Sequence, residues 1–483
     1  MTKSNWDKCE GQLDTELVQQ ELPRWLANER WFGAKSRAIT SVEIIDSVAI
    51  STSSIILFAL VHYEDGEPDT YQIPLLYSTH QDGNQGLPLQ DAVDDENFRQ
   101  ELLHIIAQDI AHPVSDNGAL KGCHSAGFAV ARGTHPLPAR VSKTEQSNTN
   151  ILYGDKLILK LFRRLQLGKN PDVEIGRFLT DVAHFPHIPR FLGEITLSRP
   201  GTEPTSCAML QEFVPSQGDG WQWTLAALAT YYEAATPDAE PYLKAASLLG
   251  RRTAELHLAL ATETTDPAFR AEPLTVALLA DEAQRIRDQI HLAVDTLQQA
   301  FPSLTAGAAT DAATILSRRS SLLAQANAIL DHPPSGNLIR IHGDYHLGQV
   351  LRAKDDFVLL DFEGEPARSF AERRRKQSPL KDVAGMLRSF SYAAWVGLEN
   401  HSKVLLSTWP SKVSAGFLAA YFETMAPHPG LLPDDPLATS LLQAFLLQKN
   451  LYELLYELNN RPTWVRIPLA GLVEQTRLIN SPE

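Results

Sequence analysis

The feature that most constrains the fold is a change in the hydrophobic pattern along the 483 residues. Residues 1–214 contain short runs rich in β-branched side chains, whereas the rest of the chain carries apolar residues mostly at helical spacing. A β-rich first part followed by a helical second part is typical of an α+β protein with two lobes. The texture predicts a small β-rich subdomain with a helix over 1–95, an intermediate N-lobe subdomain over 96–214 and a helical C-lobe over 215–483.

The same patterns predict individual elements. Strands are predicted over 42–50, 55–63, 71–77, 150–153, 156–162 and 208–214, and helices are predicted to Leu26 and over 98–110 and 173–180. In the C-lobe, helices are predicted over 242–260, 274–301, 311–330 and 448–460. Within 338–362, two short apolar strands are predicted to flank a polar loop over 342–349.

Composition excludes several classes of function. Lys and Arg number 43 against 58 Asp and Glu, and the resulting net charge of −15 disfavours nucleic-acid and anionic-membrane partners. The longest apolar run, over 55–61, is too short to cross a bilayer, and the N-terminus lacks the apolar segment of a signal peptide. Three distant cysteines support neither a disulfide framework nor a structural zinc site. We therefore expect a soluble, cytoplasmic protein.

The polar loop carries the most informative motif, His-Gly-Asp-Tyr-His-Leu-Gly-Gln over 342–349. Twelve residues after Gln349, Asp361 closes a predicted strand in the sequence Leu-Leu-Asp-Phe-Glu. Phosphoryl transfer needs a carboxylate beside the acceptor hydroxyl and further oxygen ligands for Mg²⁺. The order of these residues matches the catalytic loop and DFG motif of kinases. It predicts Asp344 as the catalytic residue and Gln349 and Asp361 as the metal ligands.

Upstream residues complete a kinase-like set. Lys160 ends a predicted strand, as the ATP-binding lysine of kinases does, and Glu174 lies on the following predicted helix, where it could pair with that lysine. No GxGxxG motif precedes Lys160, and hydroxyl and backbone N–H groups there could bind phosphate instead. A strand over 209–213 would face the adenine. The predicted ATP-binding residues are Ser147, Asn148, Thr149, Lys160, Glu174, Gln211, Glu212 and Phe213.

These motifs resemble those of bacterial maltokinases, relatives of the aminoglycoside phosphotransferases. The resemblance extends over nearly the whole chain, and the Gln and Asp-Phe-Glu forms that differ from protein kinases are usual in that family. The matching segments are 30–37 (RWFGAKSR), 145–149 (EQSNT), 159–164 (LKLFRR), 342–349 (HGDYHLGQ), 361–368 (DFEGEPAR), 378–388 (SPLKDVAGMLR) and 460–464 (NRPTW).

The resemblance implies a eukaryotic-kinase-like fold with an N-terminal cap. It implies ATP as donor, Mg²⁺ as cofactor and transfer of the γ-phosphoryl group to the anomeric hydroxyl of maltose. Asp344 would orient that hydroxyl and accept its proton. The product, maltose 1-phosphate, would serve α-glucan (glycogen-type) synthesis from trehalose, with possible association with trehalose synthase. The protein would be a monomer or a homodimer.

The predicted helix over 448–460 has one apolar face and one face with polar and aromatic side chains. Such a face suits a sugar, although a solvated helix surface would show the same spacing. With the resemblance, Lys449, Tyr452 and Tyr456 become the substrate-binding candidates. His342 is a further candidate for substrate contact, or it braces the loop by hydrogen bonds. Residues with a structural or contributing role are Trp31, Lys35, Arg368, Asp382, Arg461 and Trp464.

Two alternatives remain open. Another sugar or amino-sugar kinase, such as a glucosamine kinase, would share the chemistry and differ in the acceptor pocket. A pseudokinase, which binds nucleotide without turnover, is a different class, and the intact Lys160, Asp344, Gln349 and Asp361 argue against it.

Overall fold

The computed structural model describes residues 15–76, 89–142, 147–234, 238–399 and 408–478. The chain forms two compact units. The first contains the chain up to Thr180 and Pro189–Pro215, and the second contains Asp181–Ile188 and everything from Ser216 onward. The first unit is rich in strands and the second in helices, so the predicted α+β class is confirmed.

The elements of the first unit are as follows. Its strands are β1 (Ile39–Ala49), β2 (Ser54–Tyr63), β3 (Asp69–Leu76), β4 (Gln90–Asp91), β5 (Ala111–Pro113), β6 (Ala119–His124), β7 (Ala139–Val141), β8 (Thr149–Tyr153), β9 (Leu157–Leu161), β10 (Arg164–Leu165), β11 (Phe191–Ser198) and β12 (Thr205–Glu212). Its helices are α1 (Thr15–Asn28), α2 (Glu96–Ala107), α3 (Phe128–Arg132) and α4 (Pro171–Asp181).

Five strands form an antiparallel sheet in the order β1-β2-β3-β10, with β4 also paired to β3. Strand β2 is buried along almost its whole length. Its alternate side chains enter two different cores: Leu57 packs with Leu22 of α1, whereas Phe58 belongs to a cluster shared with the second sheet. Because successive side chains of a strand point to opposite faces, this sheet is covered on both sides.

The second sheet has seven antiparallel strands in the order β5-β6-β11-β12-β9-β8-β7. Helix α2 begins at Asp95, whose side chain accepts a hydrogen bond from Phe98 N–H, and it packs against β6. A Cβ at Gly122 would lie 2.2 Å from the Ile105 carbonyl oxygen, so only glycine allows this close approach. In the same sheet, Lys160 on β9 lies opposite Met209 on β12.

The second unit is mainly helical. Its helices are α5 (Gly220–Glu233), α6 (Glu240–Leu260), α7 (Val276–Ala300), α8 (Ala306–Ser317), α9 (Arg319–Asn327), α10 (Phe370–Arg373), α11 (Leu380–Glu399), α12 (Trp409–Met425), α13 (Leu437–Asn460) and α14 (Arg466–Leu478). Its strands are β13 (Glu272–Pro273), β14 (Asn337–Leu338), β15 (Val350–Ala353) and β16 (Asp356–Leu359).

Two pairs of helices give this unit its core: α6 packs along α12, and α11 packs along α13. At Gly250 of α6, a Cβ would come within 2.2 Å of the Phe417 carbonyl oxygen of α12, so the two backbones meet there. The polar loop follows β14 and precedes β15. Helix α11 begins next to this loop, and α13 carries the predicted sugar-binding face.

One predicted helix differs from the structure. The single helix predicted over 311–330 is interrupted at Arg318, whose N–H bonds the Ile315 carbonyl and whose side chain donates to Thr476 of α14 at 2.6 Å. The strands on either side of the loop belong to separate two-stranded sheets, since β14 pairs with β13 and β15 pairs with β16. Part of the predicted strand over 71–77 and residues 143–146 lie outside the described residues.

Across the described ranges, no helix combines the length and the apolar character needed to cross a membrane.

Candidate active site

The polar loop is held by a buried carboxylate. Asp382, in the first turn of α11, accepts hydrogen bonds from the N–H groups of His342 at 2.8 Å and Gly343 at 2.9 Å. His257 of α6 lies 3.2 Å from the same carboxylate. Burial alone would raise the pKa of Asp382, but the hydrogen bonds from His257 and Gly343 hold it below its usual value. The carboxylate thus stays charged and fixes the start of the loop.

His342 connects the loop to the segment before Asp361. Its Nε2 donates to the Leu360 carbonyl at 3.0 Å, and its Nδ1 accepts from the Asp344 N–H at 3.4 Å. The residue is 1% exposed, and its ring packs beside Phe362. Both ring nitrogens therefore have protein partners, which favours the bracing role over the predicted contact with substrate.

Asp344, the predicted catalytic residue, lies beside a cation. Lys449 of α13 donates to its Oδ1 at 3.1 Å and to Glu365 Oε1 at 2.8 Å. Burial alone would lower the pKa of Lys449, but the Glu365 and Asp344 carboxylates raise it above its usual value. Burial alone would raise the pKa of Glu365, and Lys449 holds it below its usual value. Lys449, predicted to contact the sugar, thus binds the predicted base in this structure.

The two predicted metal ligands lie together. Gln349 donates from its amide nitrogen to Asp361 Oδ2 at 2.9 Å. Asp361 has a φ of +68°, which is uncommon for a residue other than glycine, although Asp adopts it more readily than most residues. Carboxylate and amide oxygens are ligands that Mg²⁺ accepts. Since Gln349 uses its nitrogen for the contact with Asp361, its oxygen can serve as a ligand, and the pair fits the implied ion.

In the first unit, Lys160 forms an ion pair with Asp172 of α4 at 2.9 Å. The Asp172 carboxylate is buried, and the Lys160 side chain is 13% exposed. Glu174 stays a predicted partner of Lys160, whereas Asp172 was not named among the candidates. The available signal was an acidic residue directly after Pro171, in the first turn of the helix that also carries Glu174. Lys160 is therefore held beside carboxylate charge, as a phosphate-binding lysine requires.

Thr149, at the end of the predicted phosphate-binding segment, is tied to the cap. Buried Arg163 donates to Thr149 Oγ1 at 2.8 Å and to Asp91 Oδ2 at 2.6 Å. Its guanidinium also lies 4.3 Å from the centre of the Trp31 ring. Ser147 and Asn148 precede β8 and are at least partly exposed. One buried arginine thus joins the cap sheet to the segment expected to bind phosphate.

The predicted adenine-facing strand is β12 and the residue after it. The Glu212 N–H donates to the Arg190 carbonyl at 3.0 Å, and the Phe213 N–H donates to the Lys156 carbonyl at 2.8 Å. Gln211 is paired with Ile158 in the ladder between β12 and β9. These two N–H groups are therefore engaged, and an adenine contact by Glu212 or Phe213 would use their carbonyl groups.

Helix α13 presents the remaining predicted residues. Tyr452 lies beside Lys449, whose Nζ is 4.8 Å from the centre of its ring, and burial raises the pKa of Tyr452 to about 12. Tyr456 is 45% exposed and is covered by the Arg461 guanidinium at 5.3 Å. Tyr452 lines a cavity next to Gly343. Tyr456 is one turn further along the helix, among residues that do not line that cavity.

Comparisons with known proteins relate the chain to a cap family and to sugar kinases. Residues 25–90 match the family described as the maltokinase N-terminal cap domain. The chain is 27% identical to a glucosamine kinase of Streptacidiphilus jiangxiensis over 335 residues, 68% of this chain and 72% of that one. It is 29% identical to a glucosamine kinase of Mycolicibacterium smegmatis over 355 residues, 71% of this chain and 79% of that one.

Solved structures show the same fold. A glucosamine kinase, in its crystal form B, superimposes with a TM-score of 0.72 at 23% identity over 97% of this chain and 99% of that one. A glucosamine kinase in complex with glucosamine, ADP and inorganic phosphate gives 0.69 at 22% identity, over 95% and 98% of the two chains. The resemblance to kinases with a maltokinase-type cap is therefore confirmed, in the cap by its family match and in the fold by these structures. The comparisons support a phosphotransferase of the sugar-kinase type and leave the sugar open.

Proposed function

We propose that this protein is an ATP-dependent maltokinase, which transfers the γ-phosphoryl group of ATP to the anomeric hydroxyl of maltose. The observation that carries the proposal is the Asp344 carboxylate, fixed on a braced loop beside Lys449 and followed by the Gln349–Asp361 pair. A carboxylate in that position can orient a sugar hydroxyl and accept its proton. The support for maltose is the resemblance of the motifs to those of maltokinases, together with a cap family that carries the maltokinase name. The glucosamine kinase structures align over the same region.

Each residue then has a role in the transfer. Asp344 accepts the proton of the anomeric hydroxyl, which is more acidic than other sugar hydroxyls, and the contact with Lys449 orients that carboxylate. Gln349 and Asp361 would hold Mg²⁺, which when bound would neutralise charge on the phosphates. Lys160, held by Asp172, binds phosphate oxygens. Catalysis would come mainly from positioning and electrostatics.

A glucosamine kinase is the second candidate, because the two curated relatives carry that name. It would use the same residues for phosphoryl transfer and a different acceptor pocket. A place in α-glucan synthesis from trehalose, an association with trehalose synthase, a monomeric or dimeric state and a cytoplasmic location stay predictions of the resemblance.

The test is ADP release by the purified protein with ATP and Mg²⁺, measured with maltose, glucosamine, glucose, trehalose and no sugar. We expect release that depends on maltose, and a fall of at least about 10³-fold in kcat for Asp344→Asn, since that change removes the base. The exposed surface residue Lys412 on α12 offers a control variant, Lys412→Gln, which should leave kcat unchanged. Release with glucosamine but not with maltose would establish the second candidate. An unchanged rate in Asp344→Asn would remove this residue from the mechanism.

A further inference from the structure

A buried group of three polar side chains joins helices α12, α6 and α11 of the second unit. Its members are Tyr421 of α12, His257 of α6 and Asp382 of α11, and all three are almost fully removed from solvent. The Tyr421 hydroxyl lies 2.9 Å from His257 Nδ1, and His257 Nε2 lies 3.2 Å from Asp382 Oδ2. Within the described part of the chain, the side chains of Tyr421 and His257 have no other hydrogen-bond partner. Polar groups buried this completely must satisfy one another.

The hydrogen atoms of this group have one satisfactory arrangement. Burial, and then the nearby Asp382 carboxylate, raise the pKa of Tyr421 well above its usual value, so the hydroxyl keeps its proton. Because the Asp382 carboxylate is ionised and can only accept, His257 Nε2 carries the proton between them. The Tyr421 hydroxyl then donates to Nδ1, since a proton on Nδ1 would leave the buried hydroxyl hydrogen without an acceptor.

The Asp382 carboxylate connects this group to the polar loop. Its Oδ2 accepts from His257 and from the His342 N–H, and its Oδ1 accepts from the Gly343 N–H. His342 in turn accepts the Asp344 N–H at its Nδ1. The hydrogen bonds that start on α12 therefore end at the carboxylate that fixes the residues immediately before Asp344.

The torsion that orients the Asp382 carboxylate is soft. The χ2 angle of an aspartate has no sharp rotamer preference, so the hydrogen-bond donors set the direction of its oxygens. Two of these donors are backbone N–H groups of the loop itself. The third donor, His257, belongs to a helix outside the loop and can hold the carboxylate independently of the loop, while Tyr421 holds the imidazole ring.

We propose that His257 and Tyr421 are positioning residues for phosphoryl transfer, which act on Asp344 through Asp382 and the loop. The inference rests on the proposed function for the role of Asp344. Both side chains are fully buried, so neither reaches a substrate, and their effect is on the geometry of the loop. Phosphoryl transfer depends on close and in-line placement of the reacting groups, so a displaced carboxylate lowers the rate of the chemical step. Loss of these contacts should therefore lower kcat more than it changes KM.

Kinetics of matched variants of the whole protein test the proposal. His257→Leu removes the donor to Asp382 and should lower kcat at least about tenfold, with the KM for ATP changed less than about twofold. His257→Gln keeps an N–H donor near the position of Nε2 and should stay within about threefold of the wild-type kcat. Tyr421→Phe removes the donor to His257 and should lower kcat about threefold. Tyr242→Phe, the control on α6, removes a comparable buried hydroxyl contact, to Thr224 at 2.6 Å, and should leave kcat unchanged.

Two kinetic results would overturn the proposal. One is a kcat of His257→Leu within about twofold of wild type. The other is an equal fall of kcat in Tyr421→Phe and Tyr242→Phe, which would show that buried hydroxyl contacts support the helices in general and have no special effect on the loop.

Two further measurements need no turnover. In ¹⁵N NMR of the wild-type protein, the histidine signal that disappears in His257→Gln should belong to a ring with its proton on Nε2, and a proton on Nδ1 would contradict the assigned direction of the bonds. Amide hydrogen exchange at His342 and Gly343 should be at least about tenfold faster in His257→Leu and unchanged in Tyr242→Phe. Unchanged exchange at both amides in His257→Leu would overturn the proposal. If no sugar is turned over, the proposed function fails, and the proton position and the exchange rates decide the inference by themselves.

Discussion

Replacement of Lys449 by Met removes the cation that Asp344 and Glu365 share. With an effective dielectric constant of about 20, unit charges at the observed 2.8 Å and 3.1 Å attract by roughly 6 and 5 kcal/mol. The desolvation of Lys449 offsets much of this attraction, and Arg368 remains beside Glu365 in the variant. We therefore expect the free energy of unfolding to fall by about 3 kcal/mol at pH 7, the lower end for breaking a buried pair.

The effect should depend on pH. The pKa of Glu365 is lowered by folding, so its contribution is present above its unfolded pKa of about 4.3 and is lost as pH falls through the folded value. The pKa of Lys449 is raised, so its contribution is present below about 10.4 and is lost as pH rises through the folded value. The stability difference between wild type and Lys449→Met should be constant between about pH 5 and 10 and shrink below about pH 4.

Urea denaturation at a series of pH values measures this difference in stability. The turnover rate of the variant measures separately what Lys449 contributes to catalysis. We expect kcat to fall about 100-fold, because Asp344 loses the contact that orients it; this corresponds to about 2.7 kcal/mol. The double variant Lys449→Met/Glu365→Gln should recover much of the stability, since the buried carboxylate is neutralised, and little of the activity. Exposed Lys412→Met is the matched control. A stability loss under about 1 kcal/mol, or one independent of pH, would refute the reasoning.

Three further outcomes are expected. Asp382→Asn leaves one acceptor for two loop N–H groups, so the free energy of unfolding measured in urea should fall by about 2–3 kcal/mol and kcat should fall at least about tenfold. An unchanged kcat would contradict the bracing role of Asp382. Arg163→Met leaves the Asp91 carboxylate without its arginine partner and frees Thr149, so the KM for ATP should rise several-fold. A loss of stability with an unchanged KM for ATP would show that Arg163 only supports the cap. Tyr345→Phe removes one buried hydroxyl contact and should lower the free energy of unfolding, measured by thermal denaturation, by about 1 kcal/mol. A decrease above about 3 kcal/mol would indicate that Tyr345 belongs to a wider hydrogen-bond network.

The local motifs of the sequence were strong predictors of local structure. Strand β9 ends one residue after Lys160, close to the predicted end, because alternating apolar residues specify a half-buried strand. Gln349 and Asp361 were predicted as ligands of one metal ion from the kinase order of motifs, and their side chains are hydrogen-bonded to each other in the structure. The role of the pair as metal ligands stays a prediction.

The partners of these residues could not be derived from spacing. Lys449 is 105 residues from Asp344 and 84 from Glu365, and periodicity gives the face of a helix but not what packs against it. The helix pattern therefore suggested a sugar contact for a lysine that the fold turns toward a carboxylate. Asp172 was not named for a similar reason, because two acidic residues share the first turn of α4 and spacing alone does not give the contacts of either.

The position of the phosphate in the product tests the central claim most directly. The reaction of ATP and maltose with the wild-type protein is followed by ³¹P and ¹³C NMR until ADP accumulates. The account predicts one sugar phosphate, formed in equal amount to ADP, with phosphorus coupled to the anomeric carbon of the reducing glucose. Phosphate on another hydroxyl, or release of inorganic phosphate in place of a sugar phosphate, would contradict the role assigned to Asp344 and the proposed acceptor.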